Sequence, residues 1–221
     1  MKFETEKFQQ INLPLSDLSK RSKSFYQYVK KRRSIREFDK APIDDEIIKN
    51  AILSAGTAPN GANLQQWHFV IIKDKNTKKI IRIAAEKEEK KFYKFKAPKS
   101  WLEALKPLGT NENKKFLEKA PVLIAVFEKK FTIKENKKIK NYYVKESVGI
   151  ATGILISCLH YAGLCMLTHT PNPMNFLNKI LKRPINEKPF VLLVVGNADK
   201  NCKIPKFAKQ KKGIEEITTW V

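Results

Sequence analysis

The stretch Arg32-Arg33-Ser34-Ile35-Arg36 contains three of the six arginines in a chain of 221 residues. Lysine supplies almost all of the remaining positive charge, since Lys and Arg together number 44. A guanidinium group holds a phosphate through parallel N–H donors that an ammonium lacks, and the Ser34 hydroxyl adds one more donor. The choice of arginine at these positions therefore predicts a phosphate site rather than general surface charge.

Two further polar segments could contribute to the same ligand site. Pro59-Asn60-Gly61-Ala62-Asn63 is predicted to be a turn by its Pro and Asn-Gly, and a turn leaves backbone N–H groups free. Thr168-His169-Thr170-Pro171 places three hydrogen-bonding side chains at the end of a predicted strand. From the residues alone, these segments indicate a phosphorylated cofactor without saying which one.

The composition favours one globular domain with a high positive charge. Hydrophobic residues make up 42% of the chain and aromatic residues 10%, which excludes general disorder. The formal net charge of +22 raises nucleic acid or an anionic membrane as a partner. However, the lysine-rich runs 129–140 and 203–212 contain no arginine, whereas nucleic-acid surfaces more often combine arginine with aromatic residues. We therefore interpret the charge as a lysine bias and predict neither partner.

The location of the protein is predicted from its cysteines and its N-terminus. Three cysteines, at positions 158, 165 and 202, cannot form a disulfide framework and suit a reducing compartment. The first residues contain no apolar signal region. One uncharged stretch, Val148 to Leu167, reaches membrane length, but Ala162-Gly163 would break a helix there. We predict a cytoplasmic protein in which a buried helix ends near Tyr161 and a strand follows at Cys165 to Thr170.

The order of elements predicts an α+β fold with a central sheet flanked by helices. Residues 1–24 are interpreted as an N-terminal arm, residues 25–221 as a single domain, and about 199–221 as its C-terminal tail. The predicted helices are Phe25 to Arg32, a helix capped by Asp44, Thr77 to Phe95, Asn111 to Glu118, the buried helix, and Asn175 to Leu181. The other predicted strands are Trp67 to Lys73, Val122 to Phe127 and Phe190 to Val195, and Ala97 to Thr110 is predicted to be a loop. A helix that is apolar all round indicates a subunit interface.

Several common catalytic motifs are missing from the sequence. It contains no G-x-G-x-x-G after a strand, no P-loop and no G-x-S-x-G, which argues against a Rossmann nucleotide site or a serine hydrolase. The three histidines lack the spacing of metal ligands, so we predict no metal site. Cys158 and Cys165 are expected to be core residues rather than a redox pair.

The arginine stretch and Ala58-Pro-Asn-Gly-Ala-Asn-Leu-Gln-Gln-Trp67 together resemble the FMN-dependent nitroreductase superfamily. Within it, the chain is most similar to the iodotyrosine deiodinases. The resemblance runs from about Lys31 to Ile217. It includes Ala120 to Ile124, Tyr142 to Leu164, Thr168 to Pro171 and Arg183 to Lys188.

This resemblance implies an intertwined homodimer with FMN at the interface. The implied FMN ligands are Arg32, Arg33, Ser34, Arg36, Thr168, His169, Thr170 and, from the partner subunit, Asn60 and Gly61. The Thr170 hydroxyl would lie near flavin N5. A basic residue near the C-terminus, Lys211 or else Lys209, would contact the phosphate.

The same resemblance assigns a substrate site. Glu89 and Tyr93 are four residues apart and so share a helix face, and Lys114 follows after a possible lid at about 94–113. From the residues alone, Glu89 would be part of a solvated charged helix face. The resemblance instead implies that Glu89 binds the ammonium of an amino acid while Tyr93 and Lys114 bind its carboxylate. The backbone N–H of Ala62 would stabilise the phenolate of the substrate.

The expected function is the FMN-dependent reductive dehalogenation of halotyrosines, which converts 3-iodotyrosine into tyrosine and iodide by one-electron steps. Electrons would come from NADPH or from another reductase, and closure of the lid would exclude water. The main alternative is a general NAD(P)H-dependent nitroreductase or quinone reductase that uses hydride transfer. A basic nucleic-acid-binding protein without flavin is the alternative from another class.

Overall fold

The structure is a computed structural model that describes residues 3–221. The chain divides into two compact units, one that ends at Arg32 and one that comprises Arg33–Val221. The first unit contains one helix, α1 (Leu15–Val29). This helix begins well before Phe25, where the sequence predicted its start, so that part of the predicted arm is helical. The first two residues of that arm lie outside the described part.

The second unit is built around an antiparallel four-stranded sheet in the order β1-β2-β6-β5. Its strands are β1 (Trp67–Ile72), β2 (Val122–Lys129), β5 (Cys165–His169) and β6 (Glu187–Gly196). The helices are α2 (Asp45–Gly56), α3 (Lys75–Lys91), α4 (Lys99–Leu105), α5 (Phe116–Lys119), α6 (Val144–Tyr161) and α7 (Phe176–Ile180). The prediction of an α+β fold with a central sheet is confirmed.

Helices cover both faces of the sheet, and β2 shows why. Val122, Ile124 and Val126 face the core beneath α2 and α6, while Leu123, Ala125 and Phe127 face α3, α5 and α7. Successive side chains of a strand point to opposite faces, so a strand between two helical layers reads as a continuous apolar run. Cys158 packs in the first of these cores and Cys165 in the second, which agrees with their prediction as core residues.

Two elements differ from the sequence prediction. The predicted loop at 97–110 contains α4. Pro98 does not prevent this helix, because it lies directly before the first turn, where proline is tolerated. The lysine-rich run 129–140 forms a hairpin of β3 (Phe131–Lys134) and β4 (Lys137–Lys140), whose two turn residues, Glu135 and Asn136, both have positive φ. Within residues 3–221, no helix is both long and apolar enough to cross a membrane.

Candidate cofactor and substrate site

The arginine stretch runs beside the edge of the sheet. Ser34 forms a parallel bridge with Met166 of β5, and the N–H of Ile35 donates to the Met166 carbonyl at 3.2 Å. Ile35 is buried, while Arg33, Ser34 and Arg36 are half-buried. The apolar residue therefore anchors the segment and its polar neighbours remain partly accessible. Arg32, the remaining arginine of the predicted set, is the last residue of the first unit.

Glu89, Tyr93 and Lys114 lie close together, as the resemblance to the deiodinases implies. Nζ of Lys114 lies 3.1 Å from Oε2 of Glu89 and 5.7 Å from the centroid of the Tyr93 ring. Lys114 is only 4% exposed, which is rare for lysine unless its charge is paired. Glu89 is thus not the solvated helix residue that its charged surroundings suggest.

Two features of α3 place these side chains. Glu89 lies in its last turn, and Tyr93 lies in the π-helical turn Phe92–Lys96 that follows directly. Glu86, one turn before Glu89, accepts the backbone N–H of Lys114 through Oε1 at 2.8 Å. Oε2 of Glu86 accepts from Arg82 at 2.8 Å. Glu86 therefore fixes the segment that carries Lys114, a role that the sequence analysis missed although the i, i+3 spacing from Glu89 signals a shared face.

Burial determines the electrostatics of this cluster. It lowers the pKa of Lys114, and Glu89 opposes that shift. It also raises the pKa of the Tyr93 phenol, against the effect of a hydrogen bond with Thr110. The pKa of Arg36 is lowered by burial as well, and Tyr93 acts on it in the opposite direction. A partly desolvated carboxylate and ammonium side by side can exchange partners with an amino-acid zwitterion, which carries the same two charges.

His169 differs from its two threonine neighbours in the structure. Its side chain is 7% exposed and stacks edge-on against Phe116 at 5.7 Å, whereas Thr168 and Thr170 are exposed. Burial, with smaller effects from Lys114 and Arg36, lowers the pKa of His169 to about 3, so the ring is neutral. Within the described residues, its Nε2 has no hydrogen-bond partner. Alternation along the strand thus separates His169 from the threonines with which it was predicted to line one ring.

The turn at 60–63 has a strained backbone that is held by neighbouring groups. Ala62 and Asn63 have φ values of 51° and 52°. Nε2 of Gln66 donates to the Gly61 carbonyl at 3.1 Å and to the Tyr142 carbonyl at 2.8 Å. Gln66 is fully buried, and nothing in its sequence position signals this role. Within the described residues, no hydrogen bond or ion pair joins the turn to Lys114.

The predicted phosphate contact in the tail is exposed. Nζ of Lys211 donates to the carbonyls of Ala208 and Gln210 at 3.0 and 3.1 Å, and Lys209 is also exposed. Beyond Gly196 the described chain has no α-helix, and Ile214, Ile217 and Trp220 are exposed.

The donor set at the sheet edge fits FMN. Two half-buried guanidinium groups and the Ser34 hydroxyl suit a phosphate monoester. The buried Nε2 of His169, without a partner among the described residues, is a polar atom available to a ligand. The sheet and the arginine stretch define the class of protein: the sequence pattern of the Nitroreductase family matches residues 29–197, and the chain belongs to this family.

Several relatives within the family are iodotyrosine deiodinases. The enzyme of Haliscomenobacter hydrossis is 47% identical over 197 residues, which cover 89% of each chain. Iodotyrosine deiodinase 1 of Rattus norvegicus is 40% identical over 217 residues, 97% of this chain and 75% of that one. A crystal structure of oxidized iodotyrosine deiodinase bound to FMN and 3-iodo-L-tyrosine superimposes with a TM-score of 0.76 at 30% identity, covering 86% of this chain and 96% of the other. The resemblance read from the sequence is thereby confirmed.

Proposed function

We propose that this protein uses FMN to remove halide reductively from halotyrosines, converting 3-iodotyrosine into tyrosine and iodide. The reaction replaces a carbon–iodine bond with a carbon–hydrogen bond, consumes two electrons and one proton, and releases iodide. FMN, when bound, supplies the electrons in one-electron steps. The main support for this proposal is the ion pair of Glu89 and Lys114 beside Tyr93. The similarity of the chain to iodotyrosine deiodinases supports it as well.

The substrate is held by both of its ends. Glu89 binds the ammonium of the amino acid, while Lys114 and the Tyr93 hydroxyl bind its carboxylate. The ion pair between Glu89 and Lys114 opens for this exchange, so each side chain trades one charged partner for another and little desolvation is added. A simple nitroarene or quinone lacks both groups and gains nothing from the exchange, which gives the site its specificity.

The cofactor is held by the arginine stretch and by β5. Arg33, Ser34 and Arg36 bind the phosphate and the ribityl chain, and Lys211 adds a charge from the tail. Thr168 and the hydroxyl of Thr170 line the flavin, Thr170 towards N5, together with the backbone around His169. The segment 94–113, which holds α4, acts as a lid that excludes water.

The turn at 60–63 completes the site of a second subunit in a homodimer. Asn60 and Gly61 contact the cofactor there, and the N–H of Ala62 binds the phenolate oxygen of the substrate. Support comes from apolar side chains that one chain leaves exposed, namely Ile150 on α6 and the tail residues Ile214, Ile217 and Trp220. NADPH or another reductase supplies the electrons. The three unpaired cysteines support a cytoplasmic location.

Glu89→Gln separates this function from that of a general nitroreductase. The amide keeps the shape of the side chain but loses the charge that binds the ammonium, so deiodination of 3-iodotyrosine should fall by about ten- to hundred-fold in kcat/KM. Reduction of a nitroarene by the same preparation should stay within about two-fold, because a nitroarene has no ammonium. Glu88→Gln, which removes a carboxylate paired with Lys91 on the same helix, is the matched control. An equal loss of both activities would contradict the proposal.

A further inference from the structure

A basic cavity lies on the side of the second unit formed by the start of α3, α5 and the segment before α2. Its volume is about 740 Å³. Seven of its eleven lining residues are lysine or arginine, and one is acidic. None of these residues belongs to the proposed substrate or flavin site, although Lys115 of the cavity directly follows Lys114.

Only two of the seven cations have carboxylate partners. Lys73 pairs with Asp45, and Arg82 pairs with Glu86 at 2.8 Å and with Glu118 at 2.7 Å. The others make no ion pair with any residue in the range 3–221; they are Lys40, Lys75, Lys78, Lys115 and Lys119. The cavity therefore gathers several positive charges that the described chain does not neutralise.

Lys78 provides an independent sign that an anion belongs here. The residue is 5% exposed, and its Nζ donates to the carbonyls of Ala120 and Pro121 at 2.6 and 3.4 Å. A buried ammonium that makes no ion pair is costly. Burial and Lys75 lower the pKa of Lys78, while the more distant carboxylates of Glu118 and Asp74 act in the opposite direction. A scattered surface charge would point into solvent, as most lysines of this chain do. An anion in the cavity would compensate the buried charge.

The shape of the cavity indicates the size of the ligand. Its volume is in the range of small-molecule sites, and its wall includes the apolar side chains of Pro42, Ile43 and Pro121. A concave site of this kind suits a molecule that enters it rather than the convex backbone of duplex DNA. Several unneutralised cations favour more than one negative charge on that molecule. We propose that this cavity is a binding site for a small phosphorylated molecule with at least two negative charges, such as a pyrophosphate ester.

Inorganic pyrophosphate is the probe that tests the site, by calorimetric titration of the FMN-loaded protein. Loading with FMN keeps the phosphate position at the arginine stretch filled. We expect saturable binding of one pyrophosphate per chain that weakens as salt is added. The double substitution Lys115→Gln with Lys119→Gln should weaken it by about ten-fold or more, since each removes a charge-assisted contact. Both lysines are exposed, so the fold is retained.

Lys137→Gln with Lys138→Gln is the control, because it removes the same charge from the exposed β3–β4 hairpin. This variant should bind pyrophosphate within about two-fold of the unmodified protein. Absence of pyrophosphate binding, or equal weakening in the two variants, would overturn the proposal in favour of diffuse surface charge. Binding of a short DNA duplex that is lost only in the cavity variant, with no pyrophosphate binding, would overturn it in favour of a nucleic-acid surface. Deiodination by the cavity variant reports separately on the proposed function.

Discussion

His169 is a buried titratable side chain whose pKa is shifted strongly by its surroundings. Its pKa of about 3 lies well below the usual 6.5, chiefly because the ring is buried, with Lys114 and Arg36 adding to the effect. Folding therefore keeps this ring neutral across the range in which the unfolded chain takes up a proton. A neutral ring beside two cations adds no charge repulsion to the site at neutral pH.

Acid should consequently destabilise the protein through His169. Below pH 6.5 the unfolded state binds a proton that the folded state does not, so this contribution to the free energy of unfolding falls as pH falls towards 3. Between pH 6.5 and pH 5 the loss amounts to about 2 kcal/mol. Urea unfolding at several pH values measures it, and His169→Asn should flatten the slope. An unchanged slope in that variant would show that the ring titrates normally.

The surroundings of Lys114 and Glu89 depend on contacts that the sequence predicts only in part. The resemblance implies that they share a substrate site, and in the structure they lie 3.1 Å apart. The sequence does not reveal Glu86 as the acceptor that fixes the Lys114 backbone, because that contact joins residues 28 positions apart. Likewise, the role of Gln66 depends on the Tyr142 carbonyl, which only the fold brings near.

At the scale of elements, the turn at 60–63 depends on the absence of a side chain at Gly61. A Cβ at this position would lie 2.7 Å from the Tyr142 carbonyl oxygen and 3.2 Å from the Tyr143 ring. Because the oxygen belongs to the backbone, the turn itself must shift to make room. The Gly61 carbonyl, which accepts from Gln66, and the Gly61 N–H, which donates to Ser147, would then both move.

Gly61→Ala should therefore lower the free energy of unfolding by about 1–3 kcal/mol and weaken binding of 3-iodotyrosine. Gly56→Ala at the end of α2 is the matched control, since a Cβ there would meet no atom within 4 Å. The control should be neutral or slightly stabilising. Urea unfolding and ligand titration of the two variants provide the comparison. Two variants of equal stability and equal affinity would show that the turn tolerates a side chain.

The elements that the sequence predicted well are those buried on two sides. β2 and β6 are such elements, since each is a long apolar run. The start of α2 was also predicted, because Asp44 caps this helix by accepting the N–H of Glu46. The β3–β4 hairpin was missed because its lysines hide the alternation of Phe131 and Ile133, and neither turn residue is glycine. The start of α1 was missed because none of its residues is buried, so no apolar face marks it.

At the scale of the whole molecule, the unburied apolar residues favour a dimer. Ile150 on α6 is 45% exposed within one chain, although the same helix buries Val148, Ala151 and Leu155 in the core. The proposed substrate site also lacks, within one chain, any described hydrogen bond or ion pair to the turn that carries Ala62. A second copy that covers α6 and lends its turn would account for both observations.

Ile150→Glu should therefore convert a dimer into a monomer and reduce FMN retention, because a carboxylate in an apolar interface costs several kcal/mol. Sedimentation analysis gives the mass, which should be twice the 25.5 kDa of the chain before the substitution. Ile133→Glu on the exposed hairpin adds the same charge and should remain dimeric with its FMN. A monomeric unmodified protein that retains FMN would contradict this assembly.

The most direct measurement is a titration of the fluorescence of the bound flavin with 3-iodotyrosine, with tyrosine and 2-iodophenol as controls. We expect saturable quenching by 3-iodotyrosine alone. That ligand is the one of the three that combines the halogenated ring with the zwitterion bound by Glu89, Tyr93 and Lys114. Fluorescence that does not respond to 3-iodotyrosine, or that responds equally to 2-iodophenol, would contradict the proposed deiodinase function and favour a general nitroreductase.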